Sequence, residues 1–422
     1  MGILNVAEIK PDMVLADDLK NSDGRFLLAR GTKLEPKHLR VMKMWGVVEA
    51  NVQGVSQEDA AAETVAHLDP EVIEEARETI RGRFIHTDLD TPPMDTIFRL
   101  CALRKAEEIS GIRPVSSTEN TDSSLRDLIK NDRRIISHFE SKLDSGDPVP
   151  RNIKLPSLPT IYGEVNEMIH NPKSSAADIG NIISKDTSLS ARLLKLVNSA
   201  FYGFPSKIET LSRAITIVGS KQLIILVLGV NVMNVFKDIP SDLINMKSFW
   251  KHSISCGIIA RIIGNYKKVQ NTERLFIGGL LHDIGRLVLY SHRPQHAKVS
   301  LLRALADDIL VYPIEEETMG LTHAGVGARL LKMWKLPLSL ENIVGFHHDP
   351  DNSKDPLYPS IVHLADVLAN ALEMGSSGER FVPPMSPNAW GYIDITPNIL
   401  NFTISQMDRQ IEDIIEYLHV EP

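Results

Sequence analysis

From residue 155 to about residue 372 of this 422-residue chain, apolar side chains recur at helical spacing almost without a break, in segments of about 12 to 18 residues. Pro, Gly or Asn signals divide the segments, and no long strand alternation competes with them. The region is therefore expected to fold as an all-helical domain. Its junctions carry their own local chemistry. Asn171-Pro172 closes one helix, Ser174-Ser175 caps the next, and Asp186-Thr187-Ser188 precedes an apolar helix over 189–197. The run 198–203 reads as a helix C-terminus and packing corner, with Asn198 bonded to backbone and Gly203 free to take positive φ.

The rest of the chain is patterned differently. In the first 56 residues, Val14-Leu15 and Phe26-Leu27-Leu28 are separated by Asn21-Ser22-Asp23-Gly24 and followed by Gly31, which predicts hairpins. A helix is expected over 38–45 and a strand over 47–52, so residues 1–56 form a small α+β module. Residues 57–150 read as a helical connector interrupted by Thr91-Pro92-Pro93, with a polar linker at 111–124 and a further amphipathic helix over 125–143. The helical domain then occupies 151–372. Residues 373–422 read as a loop, rich in Gly, Ser and Pro, followed by two short helices, with a final amphipathic stretch from Asn398 to Leu418 beyond Thr396-Pro397. There Ile411, Ile414, Ile415 and Leu418 are expected to pack on the bundle or on a second subunit, which makes a homodimer an expectation.

Composition narrows the function classes. The chain is 43% hydrophobic and 24% charged, which supports folded units, and its length calls for more than one of them. No apolar run reaches the roughly 18 residues that a membrane span needs. The start lacks a signal-peptide pattern, and Val6 stands where a myristoylation motif requires Ser or Thr, so a cytoplasmic protein is expected. Cys101 and Cys256 are isolated, which argues against a disulfide framework or thiolate metal site. A net charge of −8 argues against a broad nucleic-acid surface, and Lys130 with Arg133-Arg134 reads as a solvated helix face.

Chemistry concentrates in one stretch. Eight of the 14 histidines lie between residues 252 and 363. His292 and His296 fall in a polar connection, and His363 faces either the core or solvent. In a helix expected over 275–290, Leu280, Ile284, Leu287 and Val288 form a buried stripe that Asp283 borders. A buried carboxylate there needs a cation or strong donors. His282 and Asp283 project about 100° apart on a helix and can approach one metal, but they cannot complete its coordination. His252, His323, His347, His348 and Asp366 are the available partners. Imidazole and carboxylate suit a divalent ion such as Fe, Mn, Ni, Zn or Mg, one or two in number. The alternative is a polar network in which these groups satisfy one another and pin the helices. Arg286 either contacts a substrate phosphate or forms an i, i+3 ion pair with Asp283.

A resemblance adds to this reading. Leu155-Pro156-Ser157-Leu158-Pro159, Ile183-Ser184-Lys185-Asp186 and Leu193-Leu194-Lys195-Leu196-Val197-Asn198-Ser199-Ala200-Phe201-Tyr202-Gly203 together resemble the HDOD family, and Ile208-Glu209-Thr210-Leu211, Ala214-Ile215 and Val218-Gly219 continue the match. The resemblance implies a mainly α protein with a helical bundle of the HD phosphohydrolase superfamily, used as a regulatory or output domain in bacterial signalling. His252 in Trp250-Lys251-His252-Ser253 is similar to the superfamily's first helix histidine, His282-Asp283 to its doublet and Asp366 to its closing aspartate. His323, His347 and His348 are similar to the histidines that support a second metal in HD-GYP enzymes. The run from Val6-Ala7-Glu8-Ile9 to Met13-Val14-Leu15-Ala16 also resembles the module preceding many HD-GYP domains.

The expected function is accordingly a signal-transduction protein acting through protein partners or a ligand. The alternative is a metal-dependent phosphodiesterase acting on a cyclic dinucleotide or related nucleotide, with Asp283 and Arg286 in catalytic roles. Three departures from the HD-GYP pattern argue against turnover. Arg286 replaces the Lys after His-Asp-Ile-Gly, His347-His348-Asp349-Pro350 lacks both the His-His-Glu sequence and the Gly-Tyr-Pro loop, and Ser248 stands where some of those enzymes carry Glu.

Overall fold

The computed structural model describes residues 2–5, 9–20, 26–44, 47, 49–53, 68–114, 136–138, 140, 155–157, 160–170, 174–199, 202, 204, 207–236 and 239–417. Most of the linker expected at 111–124, most of the helix expected over 125–143, Asn171-Pro172, Gly203 and Leu418 lie outside them. The chain divides into two compact units. One comprises Met1–Ile80, Arg99–Val115 and Asn398–Gln406, and the other Arg81–Phe98, Ser116–Pro397 and Met407–Pro422.

The first unit contains the small α+β module. Strand β1 (Gly2–Asn5) pairs antiparallel with β4 (Glu49–Val52) in the register Gly2 to Val52, and β2 (Leu19–Lys20) pairs antiparallel with β3 (Phe26–Leu28). Helix α1 (Pro36–Met44) begins on a proline, whose fixed φ suits the first helical position. Leu15, Leu34, Met42 and Val52 are buried together as the module's core. Further along, α2 (Pro70–Arg81) and α3 (Met94–Ile109) flank the proline pair, as the sequence pattern expects.

The second unit is helical. It holds α4 (Thr160–His170), α5 (Ala176–Ile183), α6 (Thr187–Val197), α7 (Leu211–Val218), α8 (Ser220–Val235), α9 (Met246–Tyr266), α10 (Thr272–Leu281) and α11 (Ile284–His292). After these come α12 (Pro294–Asp307), α13 (Val311–Met319), α14 (His323–Met333), α15 (Leu338–Phe346), α16 (Leu357–Ala371) and α17 (Ala389–Ile393). The caps are local. Ser175 and Asp178 form a reciprocal capping box, and Asp186, Thr210, Asn245 and Thr322 each accept a first-turn amide. The final helix, α18 (Asn398–Tyr417), coincides with the amphipathic stretch expected from residue 398 and is, at 20 residues, longer than a short helix. Its Ile411 and Ile414 are buried within this chain, so that stretch packs on its own protein.

The core sits on α9, α10 and α16. From Pro359 to Ala371 every residue of α16 is buried, which makes it a helix enclosed on all sides. Helices α9 and α10 meet backbone to backbone. A Cβ on Gly279 would lie 2.6 Å from the Gly257 Cα, so only glycine at this crossing brings His252 close to the end of α10. None of the described helices is long and apolar enough to cross a membrane.

Candidate metal centre

The expected helix over 275–290 is divided at the chemistry. Helix α10 ends at Leu281 and α11 starts at Ile284. Between them Asp283 takes φ −97° and ψ 9°, in the sparsely populated bridge region. The Arg286 amide bonds the Asp283 carbonyl at 2.9 Å, a tight i to i+3 turn. The break follows from packing. A Cβ on Gly285 would fall 2.0 Å from the His323 carbonyl oxygen, so α11 leaves the doublet pressed onto the start of α14. His282 and Asp283 thus approach the centre from a helix junction.

The structure brings together all seven proposed ligands. His252 comes from α9, the doublet from the α10–α11 junction, His323 from the first residue of α14, His347 and His348 from the end of α15, and Asp366 from α16. They fall into two sets, His252, His282 and Asp366 in one and Asp283, His323, His347 and His348 in the other. Within each set the donor atoms lie inside 4.8 Å of one another. In the triad, Asp366 Oδ1 is 3.1 Å from His252 Nε2 and 3.4 Å from His282 Nε2. In the quartet, Asp283 Oδ1 is 2.9 Å from His323 Nε2 and 3.7 Å from His347 Nε2. His348 Nε2 lies 3.0 Å from His323 Nε2. The second Asp283 oxygen faces the triad, 3.2 Å from His282 Nε2 and 3.8 Å from His252 Nε2. One carboxylate therefore addresses both sets.

Hydrogen bonds at the far side of three rings decide which nitrogen is offered. His282 Nδ1 donates to the Gly279 carbonyl at 2.6 Å, His347 Nδ1 to the Val344 carbonyl at 2.8 Å, and His323 Nδ1 to the Glu315 carboxylate at 2.6 Å. A neutral ring bonded in this way presents its Nε2 lone pair, the usual orientation of a metal-ligating histidine. His252 Nε2, His282 Nε2 and Asp283 Oδ1 are buried with no aligned hydrogen-bond partner. Such orphaned atoms are costly unless something fills them, so the donor set fits a divalent ion.

The electrostatics agree with this fit. Burial works against ionised Asp283, but Arg286, His282 and His323 hold its carboxyl well below the ordinary range. Burial likewise opposes ionised Asp366, and His252 and His282 outweigh it. The His347 imidazole is pushed by burial down to about 4, and His348 is pushed well below its ordinary value by burial and by His347. His282 is raised, because Asp283, Cys256 and Asp366 overcome its burial. Burial thus biases His347 and His348 toward the neutral, ligating form, whereas against burial the carboxylates raise His282 and, chiefly through Glu315, His323, and a metal would displace a proton held on either ring.

Arg286 occupies the ion-pair arrangement. It is 1% exposed, with Nε 3.4 Å from Asp283 and 3.6 Å from Glu315 and Nη1 bonded to the Ser377 carbonyl. Glu315 was not singled out from the sequence, since it sits in an acidic run, Glu315-Glu316-Glu317, that looks solvated. Its burial and its bonds to the His323 ring and amide make it the support of that ligand. His363 is also more than a core residue. Nδ1 donates to the His347 carbonyl at 2.7 Å, and Nε2 accepts the Ser386 amide at 2.9 Å. His292 and His296 lie outside both ligand sets.

The HDOD domain family matches residues 155–350 of this chain. The chain carries an HDOD domain. Within the match lie six of the seven candidate ligands, and Asp366 lies just beyond it. A curated relative, an uncharacterised protein of Treponema pallidum (strain Nichols), is 26% identical over 269 residues. That match covers 63% of this chain and 49% of the relative, so the chain spans about half the length of the curated relative it matches. Among solved structures, a protein of Shewanella amazonensis SB2B with a provisional phosphohydrolase name is 24% identical, with a TM-score of 0.51, over 63% of this chain and 95% of that one. A protein of Marinobacter aquaeolei VT8 with a provisional signal-transduction name is 17% identical, with a TM-score of 0.50, over 75% of this chain and 72% of that one. At these identities the two neighbours show a shared fold alone.

Proposed function

We propose that this protein is a cytoplasmic regulatory or output component of bacterial signal transduction, whose HDOD domain holds a divalent metal and acts through contacts with a protein partner or a nucleotide ligand. The observation carrying this reading is the closure of the centre. His252, His282, Asp283, His323, His347 and Asp366 are all at most 3% exposed, and His348 alone of the ligands is part-exposed. A site built this way retains an ion and holds five elements in register more readily than it admits a phosphodiester. The test is elemental analysis of the native protein, prepared anaerobically, beside His282→Ala and Asp366→Ala. Stoichiometric metal in the native protein, and loss of the share held by His252, His282 and Asp366 in the variants, is expected. Metal-free native protein that takes up neither Fe nor Mn would sink the reading.

A second reading is supported by the shared Asp283 carboxylate, which lies between the two sets as a metal-bridging group does in phosphodiesterases. Divalent ions there would supply Lewis-acid polarisation of a phosphate ester. The chain's own contribution would be orientation. Arg286 fixes the Asp283 carboxylate, Glu315 fixes the His323 ring, and the buried walls exclude water. Its test is hydrolysis of a cyclic dinucleotide by Mn- or Fe-loaded protein. Turnover lost in a folded Asp283→Ala variant would establish this reading over the first, and no turnover in loaded protein would remove it.

A further inference from the structure

Asp366 is held from behind as well as by its histidines. Asn370, one turn further along α16, donates its side-chain amide to Asp366 Oδ1 at 2.8 Å. The same Asn370 gives its backbone carbonyl to Arg83 Nη2 at 2.8 Å. Arg83 lies two residues beyond the end of α2 and far upstream of the residues the HDOD family matches. Its guanidinium also pairs with Glu373 and donates through Nε to the Arg380 carbonyl at 3.3 Å, while its own carbonyl accepts the Val382 amide at 2.8 Å. One residue thus grips the C-terminal end of α16 and the strap that follows it. The same strap supplies the Ser377 carbonyl, which accepts from Arg286 and from the Tyr290 hydroxyl.

The grip is built rather than incidental. Arg83 makes four separate polar contacts, with a side chain 23% exposed, and the planar guanidinium fork is needed to reach two carbonyls and a carboxylate together. Beside it the His86 ring packs edge-on against Phe381 at 5.1 Å, and His86 Nε2 bonds the Asp308 carbonyl. A surface ion pair with nothing to position would need none of this. We propose that Arg83 is a positioning residue of the metal centre and its point of input, through which displacement of the connector ending at α2 would loosen Asp366 and the strap and so weaken metal held by His252, His282 and Asp366. This deepens the metal-binding reading and rests on it for affinity, whereas the closure it describes is a property of the protein alone.

The experiment uses the full chain with Arg83→Met, Arg83→Lys and Glu373→Gln, and with Lys267→Ala as a control that breaks an exposed ion pair to Asp394 elsewhere in the same unit. Two quantities are read, Mn affinity and the rate at which diethyl pyrocarbonate labels each histidine in metal-free protein, mapped by peptide mass. In Arg83→Met, labelling of His252 and His282 is expected to rise about tenfold and Mn affinity to fall about tenfold, while His347 stays protected. Arg83→Lys should lie between, because a single ammonium cannot span the three acceptors, and Lys267→Ala should match the native protein. Wild-type labelling at His252 and His282 in folded Arg83→Met would overturn the proposal. Should that variant not fold, Glu373→Gln decides with a smaller rise in the same direction, and wild-type labelling there overturns it equally. Native protein that binds no Mn would remove the metal reading of the previous section, while the labelling still decides the closure.

Discussion

The two halves of the centre are built for different tasks. In the quartet, His323 and His347 are each tethered through Nδ1, and His348 lies at a part-exposed rim with its ring 4.3 Å from that of Tyr312. In the triad, both ring nitrogens of His252 are without an aligned partner and all three side chains are sealed, with Asp366 braced by Asn370. The quartet is pre-oriented and open at one edge. The triad is closed, and although His282 is tethered to the Gly279 carbonyl and Asp366 to Asn370, its His252 ring is held through neither nitrogen. A pre-oriented set binds with little reorganisation and exchanges readily, whereas a sealed set holds its ion for longer.

The comparison is broken most completely at the one residue common to both halves. Asp283→Ala removes the carboxylate facing each set, so metal content should fall close to zero in both. It also leaves the buried Arg286 guanidinium without its nearer partner, which should cost about 3–5 kcal/mol of stability. Elemental analysis and urea unfolding read the two effects. Retention of half the metal would show that Asp283 serves only one set.

Asp366→Asn separates the halves. The amide keeps the volume and can still bond Asn370, but it removes the charge that His252 and His282 share, so the triad should lose its metal while the quartet keeps its own. Bound metal should fall by half, read by titration with Mn. Loss of both portions would mean that the sets fill cooperatively and the division is only geometric.

Much of this arrangement was legible in the sequence. The helical period, the capping residues and the His282-Asp283 doublet are local signals, and the structure bears out the helices and brings the seven donors together. What escaped was set by tertiary contact. Glu315 is eight residues before the ring it orients and sits in a run of three acidic residues, two of them exposed. Asn370 looks like one more polar residue of a helix, and Ser377 acts through its carbonyl, which no side chain announces. The division of the helix over 275–290 was hidden for the same reason. Its apolar stripe continues through the break, which is imposed by the approach of Gly285 to the His323 carbonyl.

Glu315→Gln sharpens the contrast at smaller cost. The amide remains able to accept from His323 Nδ1 but loses the charge that fixes the ring and pairs with Arg286 at 3.6 Å. Quartet affinity should drop about 10- to 100-fold, the usual toll for removing a group that orients a ligand, with triad affinity unchanged. An equal loss in both halves would locate the effect in Arg286 and Asp283 and no longer in the His323 ring.

The smallest effect expected is on a rate. When loaded protein meets an excess of chelator, metal should leave in two phases, a fast one from the quartet through the His348 rim and a slow one from the triad. Tyr312 packs against His348 at 4.3 Å and His323 at 5.6 Å and donates to neither as a ligand, so Tyr312→Ala should open the rim without disturbing affinity. The fast phase should then quicken by a few-fold, since the change removes only a gate of about one aromatic contact, on the order of 1 kcal/mol. The slow phase should not move, because the three triad side chains are buried and the Tyr312 ring packs on His323 and His348 of the quartet. If Tyr312→Ala quickened both phases alike, the ions would share one route to solvent, and the triad's slower release would have to come from tighter binding instead of from its burial.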